Sequence, residues 1–163
     1  MAYYHDLITE KSWGKLQELK RRYRFILNGG WAVYLYTKGL KSRDIDFICD
    51  YEELEKLKGT FDLVKNERLK KYEIHMGEFD VDIYTPFFSD FLIPVQNLQT
   101  MTRSVSGCVV LEPEPLLLLK QHAYQDRAGS AKGEKARLDI FSLLKDAVDL
   151  KKYERLAAKY QLV

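Results

Sequence analysis

The chain has 163 residues, a length that fits one domain and excludes two large ones. At 46% hydrophobic and 31% charged it has enough apolar mass for a core, which excludes global disorder. Twenty-six Lys and Arg against 24 Asp and Glu leave a net charge of +2, so no overall positive field announces a nucleic-acid partner, and function has to lie in local constellations.

From the N-terminus, Trp13, Leu16 and Leu19 recur at three-residue spacing within Ser12 to Arg22, the mark of an amphipathic helix with a core-facing stripe. Arg24 to Leu27 reads as a short strand that stops at Asn28-Gly29-Gly30, after which Trp31, Tyr34 and Leu35 resume helical spacing. Gly39 and the polar Lys41-Ser42 close that helix. Arg43 to Cys49 alternates charged and apolar residues as a strand. Asp50 with Glu53 has the pattern of a capping box for a helix that buries Leu54 and Leu57 and ends at Gly59. Phe61 to Val64 reads as another strand, and Tyr72 to Met76 with Phe79 to Tyr84 as a hairpin closed by Gly77-Glu78. Past Pro86 the pattern is irregular until a strand at Gly107 to Leu111. Glu112-Pro113-Glu114-Pro115 then opens a helix reaching about Arg127. Gly129 and Gly133 mark a break before two further helices, around Lys135 to Lys145 and Leu150 to Tyr160, the first with Leu138, Phe141 and Leu144 as its expected buried stripe. The fold class is thus mixed α/β, with a core over 1–111 and a C-terminal helical segment over 112–163 packed on it as one unit.

Cys49 and Cys108 are too few and too distant for a disulfide framework, and no Cys/His cluster has zinc-ligand spacing. The first ten residues carry Asp6 and Glu10 without an apolar segment of signal-peptide length, and no apolar run is long enough to span a membrane. A reducing cytoplasm is the expected location, with no membrane partner.

The chemistry concentrates in acids. In Arg43-Asp44-Ile45-Asp46-Phe47 the period of two sends Asp44 and Asp46 to one strand face and the apolar residues to the other. Adjacent carboxylates repel, and a hard divalent cation such as Mg²⁺ is the natural counterion that holds both ionised. Phe79-Asp80-Val81-Asp82-Ile83 repeats the design and offers a third carboxylate, Asp80 or Asp82. Gly29-Gly30, between a strand and a helix, presents N–H groups without intrahelical partners and no Cβ to block an anion, which suits a phosphate.

Together, Gly29-Gly30, thirteen intervening residues, Asp44-Ile45-Asp46 and a later strand acid resemble the nucleotidyltransferase superfamily of DNA polymerase beta. Gly29-Gly30-Trp31-Ala32 with Ser42-Arg43-Asp44-Ile45-Asp46 is similar to minimal and abortive-infection type nucleotidyltransferases. The match covers about residues 24 to 84 and extends more weakly to Leu116 to Lys120 and Arg127. It implies a twisted mixed sheet with helices on one side, and transfer of NMP from an NTP such as ATP. It also implies that Gly29 and Gly30 hold the β and γ phosphates and that Asp44, Asp46 and Asp82 bind Mg²⁺, with Mn²⁺ as substitute. Asp82 is preferred over Asp80 because the family acid is followed by an aliphatic residue and the strand's end, as in Ile83-Tyr84. Lys120, Tyr124 and Arg127 share one helical stripe, from which Lys120 and Arg127 are expected to meet the triphosphate. One departure is that Trp31 follows Gly30 with no hydroxyl nearby, so one phosphate contact is expected to be missing.

The acceptor implied by the resemblance is an RNA 3′ end, a partner protein or a small molecule, in some relatives within a toxin-antitoxin or defence system. The rival from another class is a non-catalytic, antitoxin-like module that keeps the fold to bind a partner. A third is a nucleic-acid-binding module. Lys132 and Lys135 are expected at solvent or facing the acceptor, His5, His75 and His122 as isolated imidazoles, and Trp13 and Trp31 as core.

Overall fold

The computed structural model describes residues 2–160, with side chains from residue 6 onward, so the expectation for the His5 imidazole lies outside the described residues. Among the described residues seven strands form one sheet in the order β3-β4-β5-β2-β1-β7-β6. The strands are β1 (Ile26–Asn28), β2 (Ile45–Ile48), β3 (Val64–Asn66), β4 (Lys71–His75), β5 (Asp80–Tyr84), β6 (Thr102–Val105) and β7 (Cys108–Leu111). The sheet is mixed: β2 runs parallel to β5 and β1 parallel to β7, while β1/β2, β3/β4, β4/β5 and β6/β7 are antiparallel. The expected class, a mixed sheet with a helical C-terminal segment, is the one observed.

Helix α1 (Ala2–Arg22) is a good deal longer than the stretch expected from Ser12. Ile8, Leu16, Leu19 and, just beyond the helix end, Tyr23 carry its stripe into the core, and Lys20, Arg21 and Arg22 complement the dipole at its C-terminus. Helix α2 (Gly29–Thr37) is apolar almost all round, which fits its position against β1, β2 and two C-terminal helices. It stops at Lys38, whose left-handed backbone (φ 53°) returns its N–H to the Tyr34 carbonyl at 2.8 Å. Helix α3 (Tyr51–Lys58) starts at Asp50 and ends at Gly59 as expected, but the capping box does not form. Asp50 instead accepts from the Gln99 amide at 2.7 Å, and Glu53 reaches across to the Arg24 N–H at 3.2 Å. Both acids satisfy donors distant in sequence in preference to their own helix end.

The third strand begins at Val64, because Phe61 N–H still bonds the Leu57 carbonyl and the chain leaves the helix late. The segment expected to be irregular holds helix α4 (Val95–Leu98) and strand β6. β6 pairs with β7 across Ser106-Gly107, both at positive φ (50° and 77°), a turn that a Ser-Gly step signals.

At the C-terminus α5 (Pro113–Arg127) buries Leu116 to Leu119 on every side, and α6 (Ala131–Asp146) and α7 (Leu150–Lys159) pack on it. Glu114, 2% exposed, accepts the Asp149 N–H at 3.0 Å and so fixes the start of α7. The stripe expected on α6 is wrong. Leu138, Phe141 and Leu144 are exposed, and the buried face consists of Gly133, Ala136, Asp139, Ile140 and Leu143. Both stripes have helical spacing, and the one carrying Asp139 turns inward because that acid meets lysines on α5 and α6. Gly133 lies inside the first turn of α6, where its N–H bonds the Ser130 cap at 3.0 Å. A Cβ there would sit 1.9 Å from the Arg127 carbonyl oxygen. Gly133→Ala is therefore expected to destabilise the protein by about 2–3 kcal/mol, seen as a lower urea midpoint. An unchanged midpoint would contradict the tight α5–α6 corner. No helix among the described residues is long and apolar enough to cross a membrane.

Candidate active site

Strand register assembles the acids. Asn28 pairs with Asp46 across β1/β2, Asp46 with Asp82 across β2/β5, and Asp82 with Glu73 across β5/β4, so four polar residues form one row across the sheet. Their neighbours Ile45, Phe47, Val81 and Ile83 are fully buried on the opposite face. Parity within each strand thus separates chemistry from core.

Asp44, half-buried just before β2, accepts the Asp80 N–H through Oδ1 at 2.8 Å, while the Ser42 hydroxyl bonds the Asp44 carbonyl at 3.1 Å. Asp80 itself turns to His75 (Nδ1–Oδ1 2.9 Å) at a largely exposed position, and the ion pair raises the His75 pKa. Asp82 is the buried acid of the two, 8% exposed. Its Oδ1 lies 3.1 Å from the Lys71 ammonium, which also meets Glu73 at 3.4 Å. Lys71 and Glu73 carry no signal as site residues in the sequence, beyond their place on the hairpin strand beside Asp82.

The cradle adjoins the acids. Gly29 starts α2 directly after β1 with φ +67°, and a Cβ there would lie 2.3 Å from Asp46 Oδ2. A Cβ on Gly30 would lie 2.6 Å from Ser42 Oγ and 3.0 Å from Lys135 Nζ. Only glycine fits either place. The Ser42 hydroxyl, from the loop before β2, thus stands beside Gly30. Trp31 is core, 1% exposed, with its indole N–H on Ser12 Oγ at 2.8 Å.

Lys135, expected at solvent or facing the acceptor, is half-buried. It sits beside Gly30 and bonds Asp139 Oδ2 at 2.9 Å, and Lys120 bonds the same oxygen at 3.1 Å. Asp139 is 1% exposed, a buried anion holding two ammonium groups. Burial and the Lys120 charge lower the Lys135 pKa, against the pull of Asp139 and Asp46. Arg127 is exposed, but its charge reaches Asp46 and Tyr84 and favours their ionised forms. Tyr124 packs against the core, and Lys132 is exposed. The pairing of α5 and α6 through Asp139, which sets Lys120 and Lys135, has no sequence signature other than an acid on an apolar stripe.

Electrostatics set the demand of the site. Burial, then the Asp46 charge, pushes the Asp82 pKa up to about 7 against the opposing Lys71 ammonium. Burial raises Asp46 as well, with Asp44 adding to the rise and Lys120 opposing it. Among the described residues no three His, Cys, Asp or Glu side chains already converge as a metal cage. The donor set nevertheless fits Mg²⁺ or Mn²⁺: its oxygens are hard, and burial together with mutual repulsion disfavours the ionised forms of Asp46 and Asp82, a cost that a divalent cation would offset.

This buried carboxylate pair makes stability depend on pH. In metal-free protein the folded Asp82 pKa, about 7, lies above its ordinary 3.8, so the folded state holds the proton more tightly. That contribution is complete below about pH 4 and disappears as pH rises through about 7, a loss of roughly 2–4 kcal/mol. Urea midpoints in a chelating buffer are expected to fall over this window, and Mg²⁺ is expected to restore stability far more at pH 8 than at pH 5. Equal midpoints at both pH values without metal would contradict the repulsion within the pair.

The sequence matches no protein-family model and no curated protein at a significant level. Solved structures do resemble it. The structure of ANT(2″)-Ia in complex with adenylyl-2″-tobramycin aligns over 86% of this chain and 88% of its own at 15% identity, with a TM-score of 0.65. The lincomycin-bound lincosamide antibiotic adenylyltransferase LnuA aligns over 82% and 95% at 20% identity, TM-score 0.53. The Megavirus polyadenylate synthase aligns over 88% of this chain at 18% identity, TM-score 0.57, and this chain spans about a third of it (32%). These neighbours are nucleotidyltransferases with different acceptors, and the chain has a nucleotidyltransferase fold.

Proposed function

We propose that the protein is a nucleotidyltransferase that moves NMP from an NTP to an acceptor hydroxyl. The observation that carries this reading is the row Asn28–Asp46–Asp82 standing directly against a Gly29-Gly30 turn that only glycine can occupy. An anion cradle and an acid cluster in contact are what phosphoryl transfer requires, since its catalysis is positioning and charge neutralisation.

The N–H groups at Gly29 and Gly30, with Ser42 Oγ, hold the β and γ phosphates. Lys135 and Lys120, released in part from Asp139 by the incoming anion, neutralise the departing pyrophosphate, and Arg127 adds charge from the rim. Asp44, Asp46 and Asp82 would hold a divalent cation, which when bound would supply positive charge to the reacting phosphate. Asp82, the acid buried beside Asp46, takes the acceptor hydroxyl's proton as that oxygen bonds the α phosphorus and the bond from the α phosphorus to the bridging β-phosphate oxygen breaks.

Neighbours of comparable length carry small antibiotics in their structures, and this supports testing a small hydroxylated molecule as acceptor first, beside an RNA end and a partner protein. The test incubates the full chain with each α-labelled NTP, Mg²⁺ and, separately, hydroxylated antibiotics, total RNA or lysate protein. Label appearing in one acceptor class supports the reading and names the acceptor. Absence of label from all of them, with folded protein and both Mg²⁺ and Mn²⁺ tested, favours a partner-binding module.

A further inference from the structure

A second cleft, of about 290 Å³, lies between α1 and α2 and shares none of the glycines, acids or lysines of the candidate active site. Its lining includes Glu10, Trp13, Gly14, Trp31, Tyr34 and Lys41. The size is at the lower end of ligand pockets, which run from about 300 to 1,000 Å³, so it suits a small group.

Three aromatic rings meet there. Trp13 and Trp31 have centroids 5.0 Å apart, Trp31 and Tyr34 5.3 Å, and Trp13 and Tyr34 5.8 Å. Trp31 is almost wholly enclosed and forms the floor, while half-buried Trp13 and Tyr34 form the walls. The Trp31 N–H is already bonded to Ser12, which leaves π surface as what this ring offers. A Cβ on Gly14 would meet nothing within 4 Å, so the α1 side is open. Glu10 is exposed and makes no ion pair with any described residue.

Ring faces and an unpaired carboxylate share one electrical character: both attract positive charge. The structure already shows the attraction, because Lys38 Nζ stands 5.1 Å from the centroid of Tyr34. Lys41 at the rim sets a limit, since it repels a ligand with several positive charges. We propose that this cleft binds a small organic monocation, an alkylated ammonium group. The site is independent of the transfer reading and stands if that reading fails.

Both tryptophans of the chain line the cleft, so intrinsic tryptophan fluorescence reports on this place alone. The full chain is titrated with choline and, separately, with its neutral isostere 3,3-dimethylbutan-1-ol at matched ionic strength. The expected result is saturable quenching by choline in the millimolar range and none by the alcohol. Glu10→Gln, on the surface, is expected to weaken choline binding about fivefold. Lys41→Gln is expected to tighten it, which guards against a fold defect as the cause of loss. No saturable response to choline, an equal response to the alcohol, or choline binding unchanged in Glu10→Gln would overturn the proposal.

Discussion

Asp46→Asn is expected to lower nucleotidyl transfer by at least about 10³-fold while leaving the protein as stable as its parent or more so. Asp46 occupies the middle of the polar row, paired in register with Asn28 on one side and Asp82 on the other. Burial raises its pKa, and the Asp44 charge raises it further, so the ionised form is unfavourable where it stands without a cation. An amide removes that cost, keeps the shape and still accepts the weak bond from the Tyr84 hydroxyl at 3.5 Å. It also relieves Asp82, whose second cause of perturbation is the Asp46 charge. Function and stability are therefore opposed at this residue, as at sites selected for chemistry. Steady-state transfer rates and urea midpoints on the same preparations check both halves. A variant that keeps near-parental transfer contradicts the role of Asp46, and one that unfolds contradicts the electrostatic cost assigned to its charge.

Gly29→Ala is expected to lose both properties at once. The left-handed backbone costs an alanine about 1–2 kcal/mol, and the added methyl would overlap the Asp46 side chain, with Oδ2 at 2.3 Å, Cγ at 2.8 Å and Cβ at 2.9 Å. Asp46 must then swing out of its row, or the turn must open. Either movement displaces a group that has to be placed within tenths of an ångström, so a loss of at least about 10²-fold in transfer is expected. If displacement of Asp46 is the defect of Gly29→Ala, the two effects are non-additive and the double variant Gly29→Ala/Asp46→Asn transfers no worse than Asp46→Asn alone, whereas an opened turn adds a further loss. Full additivity in the double variant would place the defect of Gly29→Ala elsewhere.

What is legible in the sequence differs from what is not by the range of the interactions involved. The strand parity of Asp44 and Asp46, the shared face of Asp80 and Asp82, and the glycine turn are local patterns, and the structure keeps Asp46, Asp82 and Gly29 within one cluster. The choice between Asp80 and Asp82 depends on His75, which draws Asp80 outward, a pairing set by the β4/β5 register. Lys135 pairs with Asp139 four residues on in the same helix, a local spacing, but the rotation of α6 that buries this pair against Lys120 and beside Gly30 is a long-range effect with no local signal. The same rotation exposes Leu138, Phe141 and Leu144: two stripes on α6 have equal periodicity, and only the partners on α5 decide between them. Strand β6, Thr-Arg-Ser-Val, carries too little apolar pattern to announce itself, and its Ser106-Gly107 turn is the one local sign of pairing. Ser42 reaches Gly30 from a separate loop, so the hydroxyl beside the cradle has no trace among the residues that directly follow the glycines.

Whether the acid row and glycine cradle transfer the nucleotidyl group is decided most directly by the fate of two labels. The full chain is incubated with Mg²⁺, acceptor and an NTP labelled at either the α or the γ phosphorus, beside Asp46→Asn. The expected result is α label on the acceptor, γ label in pyrophosphate, and neither product from the variant. The γ label on the acceptor, or α label transferred equally well by Asp46→Asn, would contradict nucleotidyl transfer at this site.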